Sequence, residues 1–104
     1  MSRPTFAALP AAELDALETS SIVLFGASEA TPYDDGEPSH SADAPAAIRA
    51  ASLGFARQLS QIDFDLGFTP FPDPDDARGV VDAGDVDTRT GDAAGNRERI
   101  TAAT

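Results

Sequence analysis

The 104-residue chain contains no cysteine, no tryptophan and no lysine, and it has a single histidine and a single methionine. Without thiols, disulfides, zinc–thiolate sites and cysteine nucleophiles are excluded, while the redox compartment stays open. Positive charge is also scarce. Seven arginines stand against 18 acidic residues, giving a formal net charge of -11. Phosphate backbones and anionic membrane surfaces repel such a chain, so neither nucleic acid nor a membrane is expected as a partner. The charge reads first as a heavily hydrated, solubility-promoting surface, ahead of a cation-binding or cationic-substrate role. No window approaches the roughly 20 apolar residues that span a bilayer. The opening MSRPTFAALPAAELDALETS lacks the apolar core of a signal peptide and carries acidic residues where a transit peptide avoids them. A cytoplasmic protein is the expectation.

The length suits one domain, 1–104, with one modest core; a chain of this size buries about 65% of its unfolded surface. Pro10 can open a short helix that carries Leu14 and Leu17 on one face and ends near Thr19. Ile22, Val23, Leu24 and Phe25 form an unbroken apolar run with two β-branched members, the pattern of a parallel strand covered on both faces. From Ser28 to Ala42, prolines, glycine, serines and aspartates crowd together and predict a loop of unusual length. Asp43 and Pro45 mark the start of a helix to about Ser60. Its apolar stripe is Ile48, Ala51, Ser52, Phe55 and Leu59, and its polar side is Arg49, Arg57 and Gln58. Gly54 within it signals close packing or a local weakness. The alternation in Ile62–Phe68 reads as a short strand or edge segment, followed by a proline- and aspartate-rich surface loop. Gly79, Val80 and Val81 lead into a second buried strand ending near Val86, and Asn96–Ala103 has the makings of a helix. Strand, long loop, helix and strand make an α/β unit, in which ligands sit near the strand ends.

The motifs that could carry chemistry are weak. Gly26–Ala30, G-A-S-E-A, follows a strand as a nucleophile elbow does, yet Ala30 replaces the last glycine that turn requires. A Ser/His/Asp arrangement would have to use His40 with Ser28 or Ser39. No G-x-G-x-x-G or Walker loop supplies a phosphate cradle. Asp82, Asp85, Asp87 and Asp92 invite a calcium loop, but Arg89 takes a ligand position and Thr90 stands where glycine is needed, so a solvated strand end is the better account. Asp73–Asp76 reads as a flexible acidic loop. Asp34 and Asp35 are neighbours in a loop and need not face one another, which stops the acid/base inference. For His40 a loop histidine bonded to local backbone is favoured over a substrate contact. For Arg49 the expectation is a helix-face salt bridge to Asp43 or Asp63. Neither catalytic residues nor metal ligands are assigned.

Several stretches, in order along the chain, resemble the ureohydrolase family of arginases and agmatinases. They are Ile22–Gly26 with Pro32-Tyr33-Asp34 and Gly36, then Ala44-Pro45-Ala46-Ala47-Ile48-Arg49-Ala50-Ala51-Ser52, then Val80-Val81-Asp82-Ala83-Gly84-Asp85-Val86. Asn96-Arg97-Glu98-Arg99-Ile100 looks like the start of the helix that follows in agmatinases. The chain departs from the family at Glu37–Pro45, where many agmatinases carry an Arg-Pro-Gly-x-Arg-x-Gly-Pro run, so the substrate-side loop differs and the resemblance implies no particular guanidino compound.

The resemblance implies the first βαβ portion of a parallel-sheet, arginase-like three-layer fold. It implies the N-terminal part of an agmatinase-like, manganese-dependent hydrolase that releases urea from a guanidino compound. In that family two manganese ions generate the hydroxide that attacks the guanidinium carbon. Their ligand motifs, G-G-D-H, D-A-H-x-D and D-x-D-x-x-D-P, are all absent here. The chain alone is therefore expected to be inactive, as a fragment, a truncated product or one piece of a split enzyme. Asp34, Ser39 and His40 are the substrate-loop candidates. The alternative is a non-catalytic binding or assembly module docking on a longer catalytic chain. A homo-oligomer or a partner ureohydrolase chain are the protein partners the resemblance allows. Because two parallel strands cannot cover both faces and edges, uncovered apolar surface is expected.

Overall fold

The computed structural model describes residues 3–15, 17, 20–29 and 37–104. Two strands, β1 (Ile22–Gly26) and β2 (Val80–Asp85), pair in parallel, and helix α1 (Ala44–Ser52) lies in the connection between them. A second helix, α2 (Ala93–Ala103), follows β2. This is the mixed α/β arrangement that the apolar runs predict, with a two-stranded sheet among the described residues.

β2 is the central strand. On one side it pairs with β1 from Ile22↔Val80 to Gly26↔Asp85. On the other, Ala11 makes a parallel bridge to Asp82: the Asp82 N–H donates to the Pro10 carbonyl at 2.9 Å and the Ala12 N–H to the Asp82 carbonyl at 3.0 Å. Among the described residues, the helix expected from Pro10 is thus replaced by an extended segment at Pro10–Ala12 and a turn at residues 14–15. Local alanine propensity yields to backbone pairing that an edge strand would otherwise leave unmade. The Thr19 end of that helix lies outside the described residues. Flanked on both sides, β2 is buried from Val81 to Gly84.

Among the described residues the core is built of small side chains: Ala7, Leu9, Val81, Ala83 and Val86 are its buried apolar members. None of the six phenylalanines is among them. The radius of gyration is 15.7 Å, against about 13 Å for a typical compact domain near this length. Expanded shape and exposed Ile48, Leu53, Phe55, Ile62, Phe64 and Phe68 go together, because apolar side chains without neighbours stay in water.

Three further expectations are corrected. The helix to Ser60 changes after Ser52 into a 3₁₀ turn, Leu53–Gln58, and nothing lies within 4 Å of where a Gly54 Cβ would stand. Gly54 marks local weakness and not close packing. Its predicted apolar stripe faces water at Ile48 and Phe55, while the half-buried to buried face of α1 is Pro45, Arg49 and Ser52. Ile62–Phe68 is no strand but a tight turn, with one antiparallel bridge between Asp63 and Phe68 and Gly67 at φ 76°.

Candidate functional site

α1 turns Arg49 toward β2 because the ionic partners there outweigh the apolar stripe. Arg49 donates from Nε to Asp82 Oδ2 at 2.9 Å, from Nη2 to Asp82 Oδ1 at 3.1 Å, and from Nη1 to Asp85 Oδ1 at 2.7 Å. The salt bridges expected to Asp43 or Asp63 are replaced by these. In a regular strand, residues three apart point to opposite faces. Here β2 bulges: Leu24 faces Asp82 but Gly26 faces Asp85, so the paired segment of β2 holds one residue more than that of β1. Gly84, at φ 77°, supplies the left-handed residue the bulge needs, and its N–H donates to Asp82 Oδ1 at 2.9 Å. The bulge brings both carboxylates to one guanidinium.

Asp82 is 1% exposed, so the solvated strand end expected for it is overturned. Its Oδ2 also accepts the Phe6 N–H at 2.7 Å. Burial pushes the Asp82 carboxyl up, but the Arg49 hydrogen bonds, the N–H groups of Phe6 and Gly84 and the Arg49 charge together hold it below the usual carboxylate range. The Arg49 guanidinium is raised further above its ordinary value, chiefly by its hydrogen bond to Asp82 and against the opposing effect of burial. With four donors on two oxygens, Asp82 has no lone pair left for acid/base work; it is a structural anchor. Beside it a cleft of about 260 Å³ opens between Phe6, Leu24, Phe25, Pro45 and Ile48.

The carboxyl ends of the strands, where a ligand is expected, hold a second polar cluster. Glu29, just beyond β1, is 8% exposed; its Oε2 accepts the Ser39 N–H at 2.8 Å and its Oε1 accepts the Thr90 hydroxyl at 3.2 Å. One carboxylate therefore ties the residues before α1 to those after β2. Ser39 is buried, with its hydroxyl 3.1 Å from that of Ser41 and accepting the Ser41 N–H at 3.4 Å. His40 is exposed on the same turn. Asp34 lies outside the described residues. Of the three substrate-loop candidates, Ser39 and His40 are thus brought to the strand ends. Sequence reasoning passed over Glu29, whose only signal was its place in G-A-S-E-A directly after an apolar strand.

Beyond β2, Asp87 pairs at 3.8 Å with Arg89 on the surface. Asp92 caps α2 by accepting the Gly95 N–H at 3.1 Å and also binds Arg99 at 3.0 Å. Asn96, 1% exposed, clamps Arg89 by accepting its N–H and donating to its carbonyl, each at 2.8 Å. The four aspartates of the rejected calcium loop are thus divided between a buried ion pair, a surface pair and a helix cap.

Among the described residues, no group of three histidine, aspartate or glutamate side chains is placed to hold a metal ion. No described helix is long and apolar enough to cross a membrane. No family model, no curated protein and no solved structure matches this chain.

Proposed function

We propose that this chain forms the opening βαβ portion of an arginase-like three-layer fold, the N-terminal part of an agmatinase-like, manganese-dependent hydrolase of guanidino compounds. The observation that carries this reading is the joining of two of the stretches that carry the resemblance: Arg49 of A-P-A-A-I-R-A-A-S binds Asp82 and Asp85 of V-V-D-A-G-D-V beside a parallel strand pair. The residues that carry the resemblance are also those that lock α1 to the sheet. Their role is architectural: they set the strand ends and the loop bearing Ser39 and His40, while the metal centre belongs to other sequence.

The decisive test is a chimera in which this chain replaces the corresponding opening of an agmatinase. Manganese-dependent urea release from agmatine by the soluble chimera is expected. A folded, manganese-loaded chimera that releases none counts against the reading. By itself the 104-residue chain is expected to release no urea from agmatine or arginine, and measurable release would overturn that part.

A second reading, an assembly module docking on a longer catalytic chain, is favoured by the exposure of Ile48, Leu53 and Phe55 on and beyond α1. Co-purification with a ureohydrolase chain supports it; a stable, monodisperse monomer counts against it.

A further inference from the structure

Away from α1, the turn at Ile62–Phe68 displays apolar side chains on a frame built to hold them out. The Asp63 carboxylate accepts the N–H groups of Asp65 at 2.9 Å and Leu66 at 3.0 Å. The Asp63 N–H donates to the Phe68 carbonyl at 3.0 Å, the Gly67 N–H donates to the Asp63 carbonyl at 2.8 Å, and Gly67 takes the left-handed conformation. On this closed turn Phe64 is 91% exposed, and Ile62, Leu66 and Phe68 are each more than half exposed. A turn fixed by its own hydrogen bonds has little conformational freedom left to lose, so a partner meets a preorganised aromatic anchor.

Charge decides what can cover it. Asp63 and Asp65 interleave with the apolar residues, and Asp73, Asp75 and Asp76 follow; the single arginine of this region, Arg78, is already bound to Asp76 at 2.8 Å. A second copy would bring another net charge of -11 against this one, and an anionic bilayer would meet the same repulsion. We infer that the Ile62–Phe68 turn is a docking surface for a basic, amphipathic protein segment, with Phe64 seated in the partner and the aspartates facing its arginines or lysines. This inference is independent of the ureohydrolase reading.

The test uses the whole chain and a short designed helical peptide of leucine and lysine, with a leucine–glutamate peptide as control. Binding of the basic peptide, followed by fluorescence anisotropy, is expected to weaken at least about tenfold with Phe64→Ser. It should also weaken as salt rises from about 0.05 to 0.5 M. Phe64→Leu should retain most of it, and Phe55→Ser, on the other apolar surface, should leave it unchanged. Because Phe64 packs against almost nothing, the serine variant is expected to keep the parent circular dichroism spectrum. Binding insensitive to Phe64→Ser, or equal binding of the acidic peptide, overturns the inference. So does Phe64-dependent self-association in sedimentation, or Phe64-dependent binding to phosphatidylcholine or phosphatidylserine vesicles.

Discussion

Arg49 and Asp82, 33 residues apart in the chain, meet through two parallel hydrogen bonds of 2.9 and 3.1 Å, with the carboxylate 1% exposed and the guanidinium side chain 13% exposed. Bidentate geometry with additional N–H donors on the same oxygens is the arrangement in which a desolvated ion pair recovers its burial cost. The pair also fixes which face of α1 meets β2.

Breaking one side of it should be far more damaging than removing both. Asp82→Ala leaves Arg49 partly buried without its main partner and is expected to cost about 3–5 kcal/mol in urea unfolding. The double variant Arg49→Met/Asp82→Leu should recover a large part of that loss. An Asp82→Ala chain as stable as the parent would show that the pair contributes nothing.

Acid should destabilise the fold from a definite point. The folded-state pKa of Asp82 lies below its unfolded value, so on acidification the unfolded chain takes up the proton first. The contribution is fully present above about pH 4 and is lost as the pH falls through the folded value. Asp92, held low by its hydrogen bond from Arg99, acts in the same direction. Urea midpoints should be nearly level from about pH 7 to 5 and fall below about pH 4, with a smaller fall in Asp82→Asn. Midpoints that rise on acidification would contradict the ion-pair assignment.

Three glycines should respond to alanine in opposite senses. At Gly26 a Cβ would collide with the Asp85 carboxylate and stand 2.9 Å from the Pro45 Cβ, a close approach expected to cost about 1–3 kcal/mol. At Gly84 the positive φ adds backbone strain, and a Cβ would stand 3.0 Å from Arg3 Nε, costing about 1–2 kcal/mol. Gly54 has open space and an ordinary φ, so Gly54→Ala should stabilise by about 0.4–1 kcal/mol. Thermal melts of the three variants check the order.

Ser52 ties the N-terminal segment to α1. Its buried hydroxyl accepts the Ala7 N–H at 2.7 Å and donates to the Arg49 carbonyl at 2.7 Å. Ser52→Ala leaves the buried Ala7 amide without that acceptor, for an expected loss of about 1–3 kcal/mol. Native-state hydrogen exchange should show the Ala7 amide losing protection; unchanged protection would refute the link.

Chain composition and local pattern determined a good deal. The four-residue apolar run Ile22–Phe25 and the β-branched pair Val80-Val81 announced both strands, but the cover expected on both faces is found only at β2, since β1 is exposed at Ile22 and half-buried beyond it. Asp43 and Pro45 located the start of α1, and the crowding of proline and aspartate at residues 69–78 foretold a loop without regular structure. Tertiary structure decided what depends on partners distant in sequence. The bulge at Gly84 places Asp82 and Asp85 on one face, and only then does Arg49 turn inward, largely buried beside the buried Ser52, while Ile48 and Phe55 remain outside. The Pro10–Ala12 segment became extended because the open edge of β2 offered hydrogen bonds that helix propensity could not match. Glu29 could not be singled out from its neighbours because its partners, Ser39 and Thr90, come from two other loops. Periodicity reports which residues prefer to be buried, but a charge is buried only where the fold assembles its counter-charge, and that assembly is a property of the folded chain.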